Sequence, residues 1–194
     1  MEFAALTQAA FEGNKEQVTE LLDHGADIHN RNDEALRWAV DNGHYDVVAL
    51  LLQRGADVNA YNGWALVEAA EKGFVGMVKL LLDHGAFLHV NQDEALHLAC
   101  RNGHKEVVQL LLAQGADVHT LEDKALMEAS LAGHAEIVTL LLQKGANVRA
   151  QNDSPLLFAL WKKHVKVTQV LLKHGAVPGS DLHWPKVENM ETSE

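Results

Sequence analysis

Apolar positions along the chain come in a short set with helical spacing, then a longer apolar run, and each set stops at a glycine. In the stretch Asp93–Glu122, Ala95, Leu96, Ala99 and Cys100 fall at i, i+1, i+4 and i+5, which predicts one buried face on a short helix starting near Asp93, with Asp93 as its N-cap. Gly103 can take the left-handed backbone that ends this helix. Val107, Val108, Leu110, Leu111 and Leu112 then predict a second, longer helix that Gly115 ends in the same way.

The same pattern recurs along the whole chain. A Gly-Ala pair begins at Gly25, Gly55, Gly85, Gly115, Gly145 and Gly175, a constant step of 30 residues. Leu36, Leu66, Leu96, Leu126 and Leu156 each lie 11 residues past such a glycine, and Gly43, Gly73, Gly103 and Gly133 follow 7 residues later. A fixed period of this length predicts stacked units that bury their apolar faces on one another rather than in one central core. Six units follow: 1–32, 33–62, 63–92, 93–122, 123–152 and 153–182. Gln17 and Glu20 make one side of the first unit polar, while Lys162, Lys163, Lys166, Thr168 and Lys173 do so in the last, so both read as caps. Residues 183–194 read as a polar, flexible tail.

The segment GHKEVVQLLLAQGADVH, with Gly-His at Gly43, Gly103 and Gly133 and Gly-Ala-Asp at Gly25, Gly55 and Gly115, resembles the ankyrin repeat over about residues 1–182. The family's opening Thr-Pro-Leu-His is approached only at Ser154-Pro155-Leu156, and the period is 30 residues instead of the family's usual ~33. The missing residues fall between His119 and Leu126, where the family forms a projecting hairpin. The resemblance implies an all-α, ankyrin-like helical solenoid of six stacked helix-turn-helix units with short inter-repeat loops, acting as a protein-binding module.

A formal net charge of −11 argues against nucleic acid and anionic lipid, which select basic surfaces, and favours a neutral or basic protein partner. The longest apolar runs, such as Val47–Leu52, are too short to span a bilayer, no secretory leader is recognisable, and a single cysteine cannot form an intrachain disulfide. These features predict a cytoplasmic monomer. Twelve histidines raise the question of a metal site. His29, His89 and His119 share one repeat position and His44, His104, His134 and His164 another. Stacked helices lie about 8–10 Å apart, too far for one zinc ion bound at about 2.0–2.1 Å. Their predicted role is structural, with each imidazole bonded to a neighbouring loop. Cys100 shares a column with Ala10, Val40, Ala70 and Ser130 and reads as core. No phosphate loop, HExxH or GxSxG is present, so neither enzyme activity nor a cofactor is expected.

The candidate chemistry is therefore on the surface. On the first helix of each unit, positions four, eight and eleven share a face. Position four reads Ala4, Glu34, Trp64, Glu94, Lys124, Ser154; position eight reads Gln8, Trp38, Glu68, Leu98, Glu128, Phe158; position eleven adds Phe11, Asp41, Glu71, Arg101, Leu131, Trp161. In ankyrin-like stacks this face is implied to line the concave groove. Trp38, Trp64, Leu98, Phe158 and Trp161 are the candidate anchors and Tyr61 extends the patch, with Glu34, Glu68 and Glu94 framing it against a basic partner segment. Position eight can instead pack between units. Self-association as an assembly protein, and a ligand-binding or enzymatic role, are the competing readings.

Overall fold

The computed structural model describes residues 5–177, and the first four residues and the C-terminal segment, including the expected tail, lie outside it. Within that range the regular elements are twelve helices in six pairs. They are α1 (Ala5–Phe11) with α2 (Lys15–Asp23), α3 (Glu34–Asp41) with α4 (Tyr45–Gln53), α5 (Ala60–Glu71) with α6 (Val75–Asp83), α7 (Glu94–Asn102) with α8 (Lys105–Ala113), α9 (Thr120–Ala132) with α10 (Ala135–Gln143), and α11 (Ala150–Trp161) with α12 (Val165–Lys173). No strand occurs among the described residues.

The described residues form two compact units, 5–99 with 106–116, and 100–105 with 117–177. In the first, α1 packs on α3 and α3 on α5, while α2 packs on α4 and α4 on α6. In the second, α9 packs on α11 and α10 on α12. First helices thus stack on first helices, and second on second. The repeated leucines provide the driving force: Leu36, Leu66, Leu126 and Leu156 from the first helices, and Leu51, Leu81, Leu141 and Leu171 from the second, are all fully buried. Ala39, Ala69, Ala129 and Ala159 are buried too, and their small side chains permit close approach of the helices that carry them.

The links between pairs have a backbone that the hydrophobic pattern does not announce. Three successive residues take left-handed conformation at each link: Arg31, Asn32 and Asp33 (φ 51°, 60°, 59°), then Tyr61-Asn62-Gly63, Asn91-Gln92-Asp93, Leu121-Glu122-Asp123 and Gln151-Asn152-Asp153. For a residue with a Cβ this costs roughly 1–2 kcal/mol, and the prevalence of Asn and Asp reflects their tolerance of it. This left-handed turn stands where longer ankyrin repeats project a hairpin.

A buried carboxylate holds the turn in place. Asp33 Oδ1 accepts the backbone N–H of Asp57 at 2.9 Å, and Asp123 Oδ1 accepts that of Asn147 at 3.0 Å, each bond bridging 24 residues. The same carboxylates receive Nδ1 of His29 at 3.1 Å and of His119 at 3.0 Å, and Asp93 receives His89 at 3.0 Å. Asp93 stands directly before α7, at the N-cap position expected of it, with its carboxylate bonded to His89. The residue is itself left-handed (φ 60°), and the equivalent Asp33 makes no capping bond. The His–Asp bonds refine the reading of the first histidine column, whose imidazoles bond within their own link.

The second histidine column reaches a neighbouring repeat. The ring Nε2 of His44 donates to the Phe11 carbonyl at 2.9 Å, His134 to that of Arg101 at 3.0 Å, and His164 to that of Leu131 at 3.1 Å. Because a carbonyl only accepts, the imidazole proton sits on Nε2. Each ring also covers the turn glycine one repeat earlier, so a Cβ at Gly13, Gly103 or Gly133 would lie 2.5, 2.5 or 2.7 Å from it. At the last turn Lys163 takes the same left-handed backbone (φ 59°) with no further described repeat to cover it. Two substitutions separate these effects in thermal melts. Gly133→Ala, with φ +89° and a ring in the way, is expected to lose about 2–3 kcal/mol. Lys163→Gly is expected to gain about 1 kcal/mol. A neutral Gly133→Ala would show that the ring contact is not a packing constraint.

Candidate partner-binding site

Helices α3 and α5 hold Trp38 and Trp64 on adjacent repeats, and the two side chains line one open cavity of about 180 Å³ together with Arg37 and Asp41. A smaller cleft beside it is lined by Tyr61 and again by Arg37 and Trp64. The guanidinium of Arg37 lies 5.3 Å from the Trp38 ring centroid and 4.7 Å from that of Tyr61, within the range of a cation–π contact to both. Tyr61 is 39% exposed but fixed, since its hydroxyl donates to the Arg31 carbonyl at 2.6 Å. Trp38 is half-buried, and its ring meets Phe11 of the preceding repeat edge-to-face at 5.6 Å and 77°.

That last contact explains the position-eight column. Position eleven of one repeat meets position eight of the next: Phe11 meets Trp38, and in the second unit Arg101 grips the buried Glu128 with two bonds of 2.9 and 2.6 Å. Trp38 therefore both packs and faces outward. Arg37 lies off the face that positions four, eight and eleven define. Its signal was in position seven, where Thr7, Val67, His97, Met127 and Leu157 surround a single permanent cation.

The sequence reading leaves three carboxylates free to frame the tryptophans, whereas the structure finds each one engaged. Glu34 is buried, with Arg31 at 3.4 Å and Arg37 at 3.6 Å. Glu68 lies 3.1 Å from Lys72, which also reaches Asp41 at 2.6 Å. Burial raises the Glu68 pKa above the ordinary carboxylate value although Lys72 pulls it down. The hydrogen bond with Asp41 is the main cause that raises the Lys72 pKa. Glu94 accepts from Asn91 Nδ2 at 2.7 Å, and Asn91 in turn accepts from Asn62 at 3.2 Å.

Other candidates fall elsewhere. Leu98 is half-buried on α7 and does not line either aromatic cleft. Phe158 and Trp161 belong to the second unit, where Phe158 is half-buried and Trp161 is 65% exposed with Lys162 Nζ 4.2 Å from its ring. Cys100 is fully buried and burial pushes its thiol far above the ordinary range, so it carries no nucleophilic role. Among the described residues no three His, Cys, Asp or Glu side chains converge to hold a metal, and no helix is long and apolar enough to cross a membrane.

A family model for ankyrin repeats in three copies matches residues 2–62, 63–122 and 118–181. The chain belongs to the ankyrin repeat family. Similar solved structures are ankyrin repeat domains: that of human ASB11 is 27% identical over 90% of this chain and 85% of its own, with a TM-score of 0.79. One from Acinetobacter baumannii AYE is 28% identical over 89% and 98%, with a TM-score of 0.75. That of Bcl-3, described as a member of the IkappaB protein family, is 29% identical over 90% and 87%, with a TM-score of 0.74. Comparison with curated proteins gave no match. The fold class is accordingly the all-α ankyrin-like helical solenoid, and ankyrin repeats are in general protein–protein interaction modules, typically without enzymatic activity.

The edge contact between Phe11 and Trp38 can be weighed directly. A double-mutant cycle of Phe11→Ala and Trp38→Ala, read by denaturant unfolding, is expected to return a coupling of about 0.5–1.5 kcal/mol. A coupling of zero would leave Trp38 without a packing role.

Proposed function

We propose that this ankyrin repeat chain is a non-enzymatic, monomeric, cytoplasmic interaction module whose array spans residues 1–182 and takes a protein partner across the face of its first helices. The observation that carries this reading is the cluster of Trp38, Trp64, Tyr61 and Arg37 around one cavity of about 180 Å³. Aromatic and Arg side chains gathered in one partly desolvated place are the composition of binding hot spots.

The geometry also limits what enters the cavity. Arg37 already occupies the cation position over Trp38 and Tyr61, so the inserted side chain is an uncharged aromatic or aliphatic one. The partner as a whole is neutral or basic, because the chain carries a net −11 and repels an acidic surface. Glu34, Glu68 and Glu94 contribute at the edge of the site, Leu98 beyond it, and Phe158 and Trp161 as a second anchoring place on the last repeat.

The reading is tested by affinity capture followed by calorimetry on the recovered partner. Trp64→Ala is expected to weaken binding by at least ~2 kcal/mol, with a melting temperature close to that of the unchanged chain. Partner affinity that is the same for Trp64→Ala and Trp38→Ala in the folded fraction would remove the aromatic cluster from the binding surface. Sedimentation over a concentration series, showing one monomer mass throughout, checks the monomeric state against self-assembly.

A further inference from the structure

We propose that the cleft between α10 and α12 docks an acidic, amphipathic helical segment of a partner. The cleft has an apolar wall of Ala135, Val170 and the methyl side of Thr139, whose hydroxyl is turned inward to the Ala135 carbonyl at 2.8 Å. Its volume is about 330 Å³, and Lys166 and Lys173 stand along its α12 side. Neither lysine forms a hydrogen bond or an ion pair among the described residues, whereas Lys72, Lys105, Arg54, Arg101 and Arg149 all reach a carboxylate.

The charge here reverses the rule of the array. The column of Lys166 otherwise holds Glu16, Asp46, Gly76, Glu106 and Glu136, and that of Lys173 holds Asp23, Gln53, Asp83, Ala113 and Gln143. From residue 153 to 177 the chain has four lysines against one aspartate, inside a protein of net −11. A terminal repeat needs a polar outer face, but that need is met by either sign of charge. Two lysines without a hydrogen bond or close ion pair beside an apolar wall are instead the complement of an anionic amphipathic ligand.

Spacing selects the helical form of that ligand. Lys166 and Lys173 are two helical turns apart on one face, about 10 Å along the axis. Carboxylates at i and i+7 of a docked helix have the same separation. Apolar residues at i+3 and i+4 of that helix then face Val170 and Ala135, which is the helix-in-groove mode of recognition. The one acid in the cleft, Glu136, is bonded to Lys105 at 2.5 Å and also lies within electrostatic reach of Lys166, so a docked carboxylate shares Lys166 with it.

The test uses the full chain and fluorescence anisotropy. The probe is a labelled peptide of about 18 residues with Glu at i and i+7 and Leu at i+3 and i+4, a length that allows helix formation. Saturable binding that weakens with salt, and at least tenfold with Lys166→Glu/Lys173→Glu, is the expected result. Lys166→Gln/Lys173→Gln should weaken it less, separating loss of attraction from any cost of charge reversal at the end of α12. The same peptide with Lys for Glu should not bind, and Trp64→Ala should leave affinity unchanged, since this cleft is independent of the aromatic cluster. No saturable binding up to ~1 mM, equal binding by the charge-reversed chain, or equally tight binding of a single-stranded oligonucleotide would each overturn the proposal.

Discussion

Three residues of left-handed backbone carry the chain from one helix pair to the next, and this turn is the constraint on which the stack depends. A period of 30 residues leaves no length for a hairpin between pairs. The turn reverses the chain in the space available, at roughly 1–2 kcal/mol for each residue with a Cβ. The buried aspartate offsets part of that cost by accepting a backbone N–H 24 residues further on, as Asp33 and Asp123 do. A charge-assisted bond of this kind contributes about 1.5–3 kcal/mol. Local strain and non-local bond therefore belong together, and each repeat depends on its successor to settle its own link.

The same step places the aromatic cluster. Because first helices stack directly on first helices, position eleven of one repeat comes against position eight of the next. One such contact is Phe11 on Trp38 and another is the Arg101–Glu128 fork. A side chain at position eight is thus held on one edge by its predecessor while its other edge stays in contact with solvent. Rigidity supplied by the stack reduces the rotamer entropy that Trp38 would lose on binding. Packing and recognition are two uses of one residue here, not alternatives.

Much of this was legible in the sequence. The helix pairs, their buried leucines and the close approach at Ala39 and Ala69 follow from spacing alone, because the hydrophobic pattern repeats the helical period without interruption. The left-handed links were not legible in the same way. Arg31-Asn32-Asp33 and Gln151-Asn152-Asp153 look like ordinary polar loops, and at Asp33 the carboxylate that holds the turn bonds an N–H 24 residues away that no local pattern names. The site was read in part. Trp38 and Trp64 share a cavity, but face analysis on a single helix could not find Arg37, whose place over two rings arises from the juxtaposition of two repeats. Nor could it show that Glu34 is buried beneath its own arginines.

The third repeat shows how a binding surface can be altered without loss of the link. Gly63 stands where the other described links have aspartate, so no carboxylate is available to accept the N–H of Phe87. Asn59 takes over that bond at 2.8 Å from the position that holds His29, His89 and His119 in other repeats, and its amide also donates to the Gly85 carbonyl at 3.1 Å. Val90 closes on Gly63 so tightly that a Cβ there would lie 2.7 Å from Cγ2. The three residues form one compensated set, since restoring aspartate at position 63 alone would collide with Val90. What the exchange achieves is next to it in the chain. Trp64 follows a glycine rather than the aspartate that the other described links carry at this position, so its own link adds no carboxylate beside the ring, and the charged groups of the cavity it shares with Trp38 are Arg37 and Asp41 of the preceding repeat.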